Sequence, residues 1–206
     1  VMGRIHTSGK IPAAGLNLDI DWTVAGSDGQ DYSENELEIW FSAQDKIGVS
    51  VRDPAGRTYG PIDPLEFIEN QRLADGTFLS LYNDLYHEAN GANYIGIFLS
   101  PNFKAKKPIG IAAGQWVVRL HGRDIRDGRF DGWIERDDPS PLPPDPEQPK
   151  RWRFPSFFSE RSNVDCSSIS TLACGNRVVA VANLDKAREC INVTSSQGPT
   201  REGANK

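Results

Sequence analysis

Three histidines, His6, His87 and His121, are the residues of this chain best suited to move a proton or hold a metal near neutral pH. A zinc site wants such residues in a recognised pattern with Cys, Asp or Glu; His6 lies in what reads as a Gly-rich loop, and His87 and His121 are far apart in sequence with no such carboxylate pattern. His6 shares a Gly-rich stretch with the hydroxyl of Ser8, but no nucleophile motif surrounds the pair. Each histidine is therefore expected to be a surface or hydrogen-bonded residue. The three cysteines, Cys166, Cys174 and Cys190, fall in the last fifth of the chain at spacings that match neither a zinc ribbon nor a Cys-x-x-Cys pair. Reduced or buried thiols are expected, with a Cys166–Cys174 or Cys174–Cys190 bridge as the alternative. Two acidic turns, one with Asp28, Asp31 and Glu34 and one with Asp124, Asp127 and Asp131, offer hard oxygen ligands. Neither has the EF-hand spacing with its closing Glu. No cofactor is expected; Ca²⁺ is the ion these residue types would admit, and solvated turns are the simpler reading.

The elements that must position these groups are written in hydrophobic rhythm. From Leu16 the apolar residues Leu18, Ile20, Trp22 and Val24 alternate with Asn17, Asp19, Asp21 and Thr23, the signature of a half-buried strand. Leu37, Ile39 and Phe41 repeat it, as do Ile47, Val49 and Val51, and further strands are expected over Thr77–Tyr82, Asn93–Leu99, Gln115–Leu120 and Arg129–Glu135. Ser27-Asp28-Gly29, Asp53-Pro54-Ala55-Gly56, Asp75-Gly76 and Asp127-Gly128 are turn signals between them. Strands that each own one apolar face must cover one another, so 16–136 reads as an antiparallel β-sandwich of jelly-roll type. Trp116, Val118 and Leu120 should face its core, with Val117, Arg119 and His121 turned outward.

Six prolines between Asp137 and Pro149 interrupt this pattern. They remove backbone donors and favour extended chain, so 137–150 reads as a semi-rigid connector, with a ligand for a Pro-binding domain as the alternative. Beyond it the rhythm differs. Ser167 or Ser168 can cap a short helix through Ala173 that Gly175 would end. Val178–Ala182 is an almost unbroken apolar run, of the kind that is buried on both faces in a parallel sheet. That belongs to an α/β scaffold.

With 206 residues the chain can bury a sizeable core without disulfides. Its net charge of −5 and its single short basic run, Lys104-Ala105-Lys106-Lys107, argue against a nucleic-acid footprint. No apolar run reaches the ~18 residues of a membrane span, and the start shows no signal-peptide pattern. The first residue, Val1, is not an initiator Met.

The end of the chain, Ser195-Ser196-Gln197-Gly198-Pro199-Thr200-Arg201-Glu202-Gly203-Ala204-Asn205-Lys206, resembles the strand-and-turn segment of subtilisin-like serine peptidases. Arg177-Val178-Val179-Ala180-Val181-Ala182-Asn183-Leu184-Asp185 is similar to that family's preceding strand, at the right distance upstream and with Ala182 where Gly-Ala is usual. Gly114–Gly122 and Gly128–Trp133 are similar to the jelly roll that some bacterial members carry inside the catalytic domain. The resemblance implies a sandwich at 16–136 inserted between subtilisin-like pieces at 1–15 and 151–206, the first a loop that follows the oxyanion strand. It implies a protein or peptide substrate for the parent enzyme, with Val1, Met2 and Gly3 in the wall of the specificity pocket. No catalytic residue is assigned, since the family's Asp, His and Ser motifs and its oxyanion Asn motif do not occur here, and the chain alone is expected to be inactive. The competing reading is a stand-alone β-sandwich that binds carbohydrate or protein, with outward Trp40 stacking on a sugar ring.

Overall fold

The computed structural model describes residues 4–137, 155–169, 174, 177–192 and 195–201. In chain order the strands are β1 (His6–Lys10), β2 (Asn17–Val24), β3 (Gln30–Asp31), β4 (Asn35–Phe41) and β5 (Lys46–Arg52). They continue with β6 (Thr58–Ile62), β7 (Phe67–Arg72), β8 (Phe78–Asp84), β9 (Asn93–Ser100) and β10 (Ile111–Ala112). The last are β11 (Gly114–Asp124), β12 (Arg129–Asp137), β13 (Phe157–Phe158), β14 (Leu184–Asp185) and β15 (Cys190–Ile191).

Side chains on a strand point alternately to opposite faces, so each of the alternating runs gives one apolar row. Leu37, Ile39 and Phe41 on β4 are wholly buried, as are Ile95 and Ile97 on β9 and Leu79 and Leu81 on β8. These rows line the inner face of a six-stranded sheet in the order β1-β12-β4-β9-β8-β7. Facing it is a five-stranded sheet, β13-β2-β11-β5-β6, which contributes Ile20, Trp22, Val49, Val51, Trp116, Val118 and Leu120 to the same core. Trp22 and Trp116 lie directly opposite each other across the β2–β11 ladder, and the Trp116 indole donates to the Ala112 carbonyl at 2.9 Å. Every pairing between these strands is antiparallel. The fold is a jelly-roll β-sandwich, as the alternation predicts.

One buried carboxylate fixes the turn between the sheets' long strands. Asp45 is fully buried and accepts the backbone N–H groups of Arg126, Asp127 and Gly128 at 2.6, 3.0 and 2.7 Å. Gly128 takes φ +76°, and a Cβ there would collide with the Ile11 carbonyl, so no other residue fits that turn.

The architecture departs from expectation at its borders. The sandwich is wider than 16–136: β1 pairs with β12 from within the stretch expected to be loop, and β13 pairs with β2 from beyond the connector. His6 thus lies in a strand and is buried. Short β6 and β7 also went unseen; their faces are mostly exposed and carry Gly60, Pro61 or several polar residues, so no alternation marks them. The partial α/β scaffold is not formed among the described residues. No helix occurs among the described residues; the expected helix at 167–173 falls largely outside them, and Ser167 has φ +52°. Val178–Ala182 is not a strand: Val179 and Val181 are 84% and 88% exposed. A strand that is apolar on both faces needs neighbours on both edges and covers on both sides, and the exposure of Val179 and Val181 shows that these covers are missing among the described residues. Among the described residues the only regular structure nearby is the hairpin of the two-residue strands β14 and β15.

Candidate functional site

The densest meeting of polar groups from distant parts of the chain lies on the outer side of β1 and β12. The ladder sets His6 opposite Trp133 and Ser8 opposite Asp131. His6 is 1% exposed and its ring stacks on Trp133, centroids 4.9 Å apart. One ring nitrogen lies 3.1 Å from the Asp131 carboxylate and the other 3.2 Å from the Val164 carbonyl. The second Asp131 oxygen faces the Arg201 guanidinium at 3.7 Å, and the Trp133 indole donates to the Ser167 carbonyl at 2.8 Å.

Backbone bonds make this a seam rather than a point contact. Phe158 N–H donates to Arg4 O, Val164 N–H to His6 O, and Ser168 N–H to Gln197 O. Ser162 and Ser159 tie the same segment to Asp21 on β2, where Arg161 also pairs at 3.2 Å. The start of the described chain and its two late stretches, 155–169 and 195–201, therefore converge on one edge of the sandwich. Asn183 N–H donates to the Ser195 hydroxyl at the end of this seam, and the run Val178–Leu184 is exposed to solvent, as is Ile191.

Elsewhere the groups singled out by type find ordinary partners. His121 and Ser50 project from the outer face of the five-stranded sheet, with Ser50 Oγ 2.9 Å from the ring. Burial first, then the guanidiniums of Arg123 and Arg119, hold His121 below the usual histidine range, so the ring is neutral at neutral pH. Among the described residues no carboxylate meets its other nitrogen, the contact a catalytic base needs for orientation. His87 rests edge-on against Trp40, centroids 5.0 Å apart. The acids of the two turns are drawn to separate partners: Asp31 accepts from Ser33 and Asn35, Asp124 faces Arg126, Asp127 pairs with Arg129, and Asp131 joins the seam. Cys166, Cys174 and Cys190 are free thiols, the first two half-buried and the last exposed. Val1, Met2 and Gly3 lie outside the described residues, immediately before the seam.

The seam itself was invisible in sequence. A one-residue slip of β1 along β12 would turn His6 to the face opposite Asp131, and nothing local announces the register. Arg201 was legible only as part of the terminal motif.

No family model and no curated protein sequence matches the chain. Its fold is similar to the solved structure of the Clostridium perfringens CspB protease, with a TM-score of 0.66 and 17% identity. The match covers 98% of this chain and 37% of that one, so the chain spans little more than a third of the protease it matches. At that identity the likeness concerns the fold.

Proposed function

We propose that this chain is an internal region of a subtilisin-like serine endopeptidase, in which the sandwich interrupts the catalytic domain beside the substrate cleft. It restricts which proteins enter, or holds the catalytic domain in one geometry. The observation that carries the reading is the seam: Arg4 and Phe158, at the two ends of the sandwich, are joined by a backbone hydrogen bond, while Val179 and Val181 further along are 84% and 88% exposed. An inserted unit must leave and re-enter its host at neighbouring points, and an apolar run with strand composition needs the host's sheet to cover it. The likeness over 98% of the chain to part of a protease supports the same assignment.

In this reading the nucleophile, its general base, the orienting carboxylate and the oxyanion donor belong to other parts of the parent, and this chain supplies walls and supports. The test is made in the parent enzyme. Since β1 and β13 belong to the sandwich sheets, 5–158 is replaced by a short linker, and cleavage preference on a peptide library and thermal stability are measured. A change in either supports the proposal; a parent enzyme unaltered in both leaves neither role standing. The chain alone should leave casein intact, and casein digestion by it would overturn the assignment of the catalytic groups to the rest of the parent.

A further inference from the structure

The outer face of the six-stranded sheet is unlike that of its partner sheet. On the five-stranded sheet, guanidiniums are met by carboxylates of the same chain: Arg119 grips Asp19 through two bonds of 2.7 and 2.8 Å, and Arg123 meets Asp63 at 2.6 Å. On the six-stranded sheet, β4, β8 and β9 contain no Lys or Arg at all. Cross-strand register instead places Asp131, Trp40, Tyr94 and Asp84 in one row, and Trp133, Glu38, Gly96 and Tyr82 in the next. Carboxylates thus sit beside aromatic rings at the spacing of neighbouring strands, about 5 Å. Trp40 donates to Glu38 at 3.1 Å, which turns the indole along the sheet, and its ring centroid lies 4.8 Å from that of Tyr94. Gly96 leaves room for the Tyr94 hydroxyl, which an added Cβ would approach to 2.5 Å. Asp84 is exposed at the far end of the row, and Phe67 at the sheet edge is 65% exposed.

At its other end the same row already holds a cation. Arg201 lies against Asp131, one strand away from Trp40. The chain's own arginine shows what this arrangement of carboxylates accepts; along the rest of the row His87 packs on Trp40 and Tyr94, which stay half-exposed, Asp84 is exposed, and among the described residues no Lys or Arg pairs with them. Ring faces attract an ammonium or guanidinium, and a carboxylate alongside adds a direct charge partner. We propose that the outer face of β4, β9 and β8 is a docking surface for an extended, Lys- or Arg-bearing segment of a partner protein. The inference is independent of the peptidase reading. Partial burial first, and Glu38 and Glu36 second, push Glu135 beside this face above the usual carboxylate range, as expected where negative charge accumulates.

The test titrates the full chain with a short fluorescein-labelled peptide alternating arginine with serine, followed by anisotropy at low and at physiological salt. Binding that weakens as salt rises is expected. Trp40→Ala with Glu38→Gln should weaken it about tenfold. Asp84→Asn, an exposed change that cannot disturb the core, should weaken it about threefold. Asp63→Asn on the opposite sheet should leave it unaltered. Absence of binding, equal binding by the Asp84 and Asp63 variants, or a preference for the matching glutamate peptide or for a chito-oligosaccharide would each overturn the proposal.

Discussion

Val49 and Val51 are fully buried, whereas Val179 and Val181 are almost fully exposed, although all four stand in runs of strand-forming residues. The contrast is between a region whose apolar residues are covered and one whose apolar residues are exposed. In the sandwich every apolar row meets another row, and the hydrophobic gain falls to the chain itself. In 177–192 Val179 and Val181 lie exposed, so the hydrophobic gain of an equally apolar run is not realised there among the described residues. Strand propensity measures how well a side chain fits a pleated, half-covered surface, and without neighbours the same residues form no strand.

Substitution should divide the two regions most sharply. Ile97→Ala, at the centre of the buried rows, should cost about 2–5 kcal/mol of unfolding free energy through lost burial and the cavity left behind. Val181→Ser should alter it by less than about 0.5 kcal/mol in this chain. Urea titration of both variants checks the pair. A similar loss for both would mean that 177–192 packs into the sandwich after all. In the proposed parent the second substitution should become costly, and that reversal would sharpen the comparison further.

Asp45→Ala comes next. It strips three amide N–H groups, that of Gly128 buried and those of Arg126 and Asp127 part-buried, of their acceptor at the β11–β12 turn, at a cost of about 3 kcal/mol. Hydrogen exchange should show Arg126–Gly128 losing protection; a variant as stable as the native chain would mean that water replaces the carboxylate without penalty.

The seam separates the two regions, and loosening it should act on one side only. His6→Ala with Trp133→Ala removes the stacked pair that receives Val164 and Ser167, so exchange at Val164 and Ser168 should accelerate several-fold while Ile95–Leu99 keeps its protection. Accelerated exchange throughout would make the seam part of the sandwich core instead of its attachment.

Most of the sandwich was legible because alternation is a local property that survives without knowledge of partners. Leu37, Ile39 and Phe41 declare their face from spacing alone, and so do Trp116, Val118 and Leu120. The edge strands were not legible: β1 holds His6, Thr7, Ser8 and Gly9 with no apolar row, Thr7 and Gly9 facing the sandwich core beside Ile39 and Phe130 and His6 lying under the late segment. Val178–Ala182 failed in the opposite sense. Its pattern reads truthfully as a strand, but forming one takes neighbours that the described residues do not provide. The candidate site was hidden for a related reason, since it is a product of register and return rather than of any motif. The row of Trp40, Tyr94 and Asp84 likewise exists only once β4, β9 and β8 are aligned.

The smallest effect concerns the outer face of the five-stranded sheet, where charges are answered within the chain. The folded His121 has a lower proton affinity than an unfolded histidine, whose usual value is 6.5, because of burial and of the two guanidiniums beside it. Across the window from that value down to the folded one, the unfolded state binds more protons, so stability must rise with pH. The contribution is fully present above 6.5 and is lost as pH falls through the folded value. His121→Gln keeps a partner for Ser50 and should flatten this slope, read from urea midpoints at a series of pH values. The slope is shallow because the ring is half-open to water, which screens Arg119 and Arg123. An unchanged slope in the variant would assign the acid sensitivity to carboxylates instead. The first of these to examine is Asp19, whose bonds to Arg119 hold it below its ordinary range and whose stabilisation disappears at lower pH.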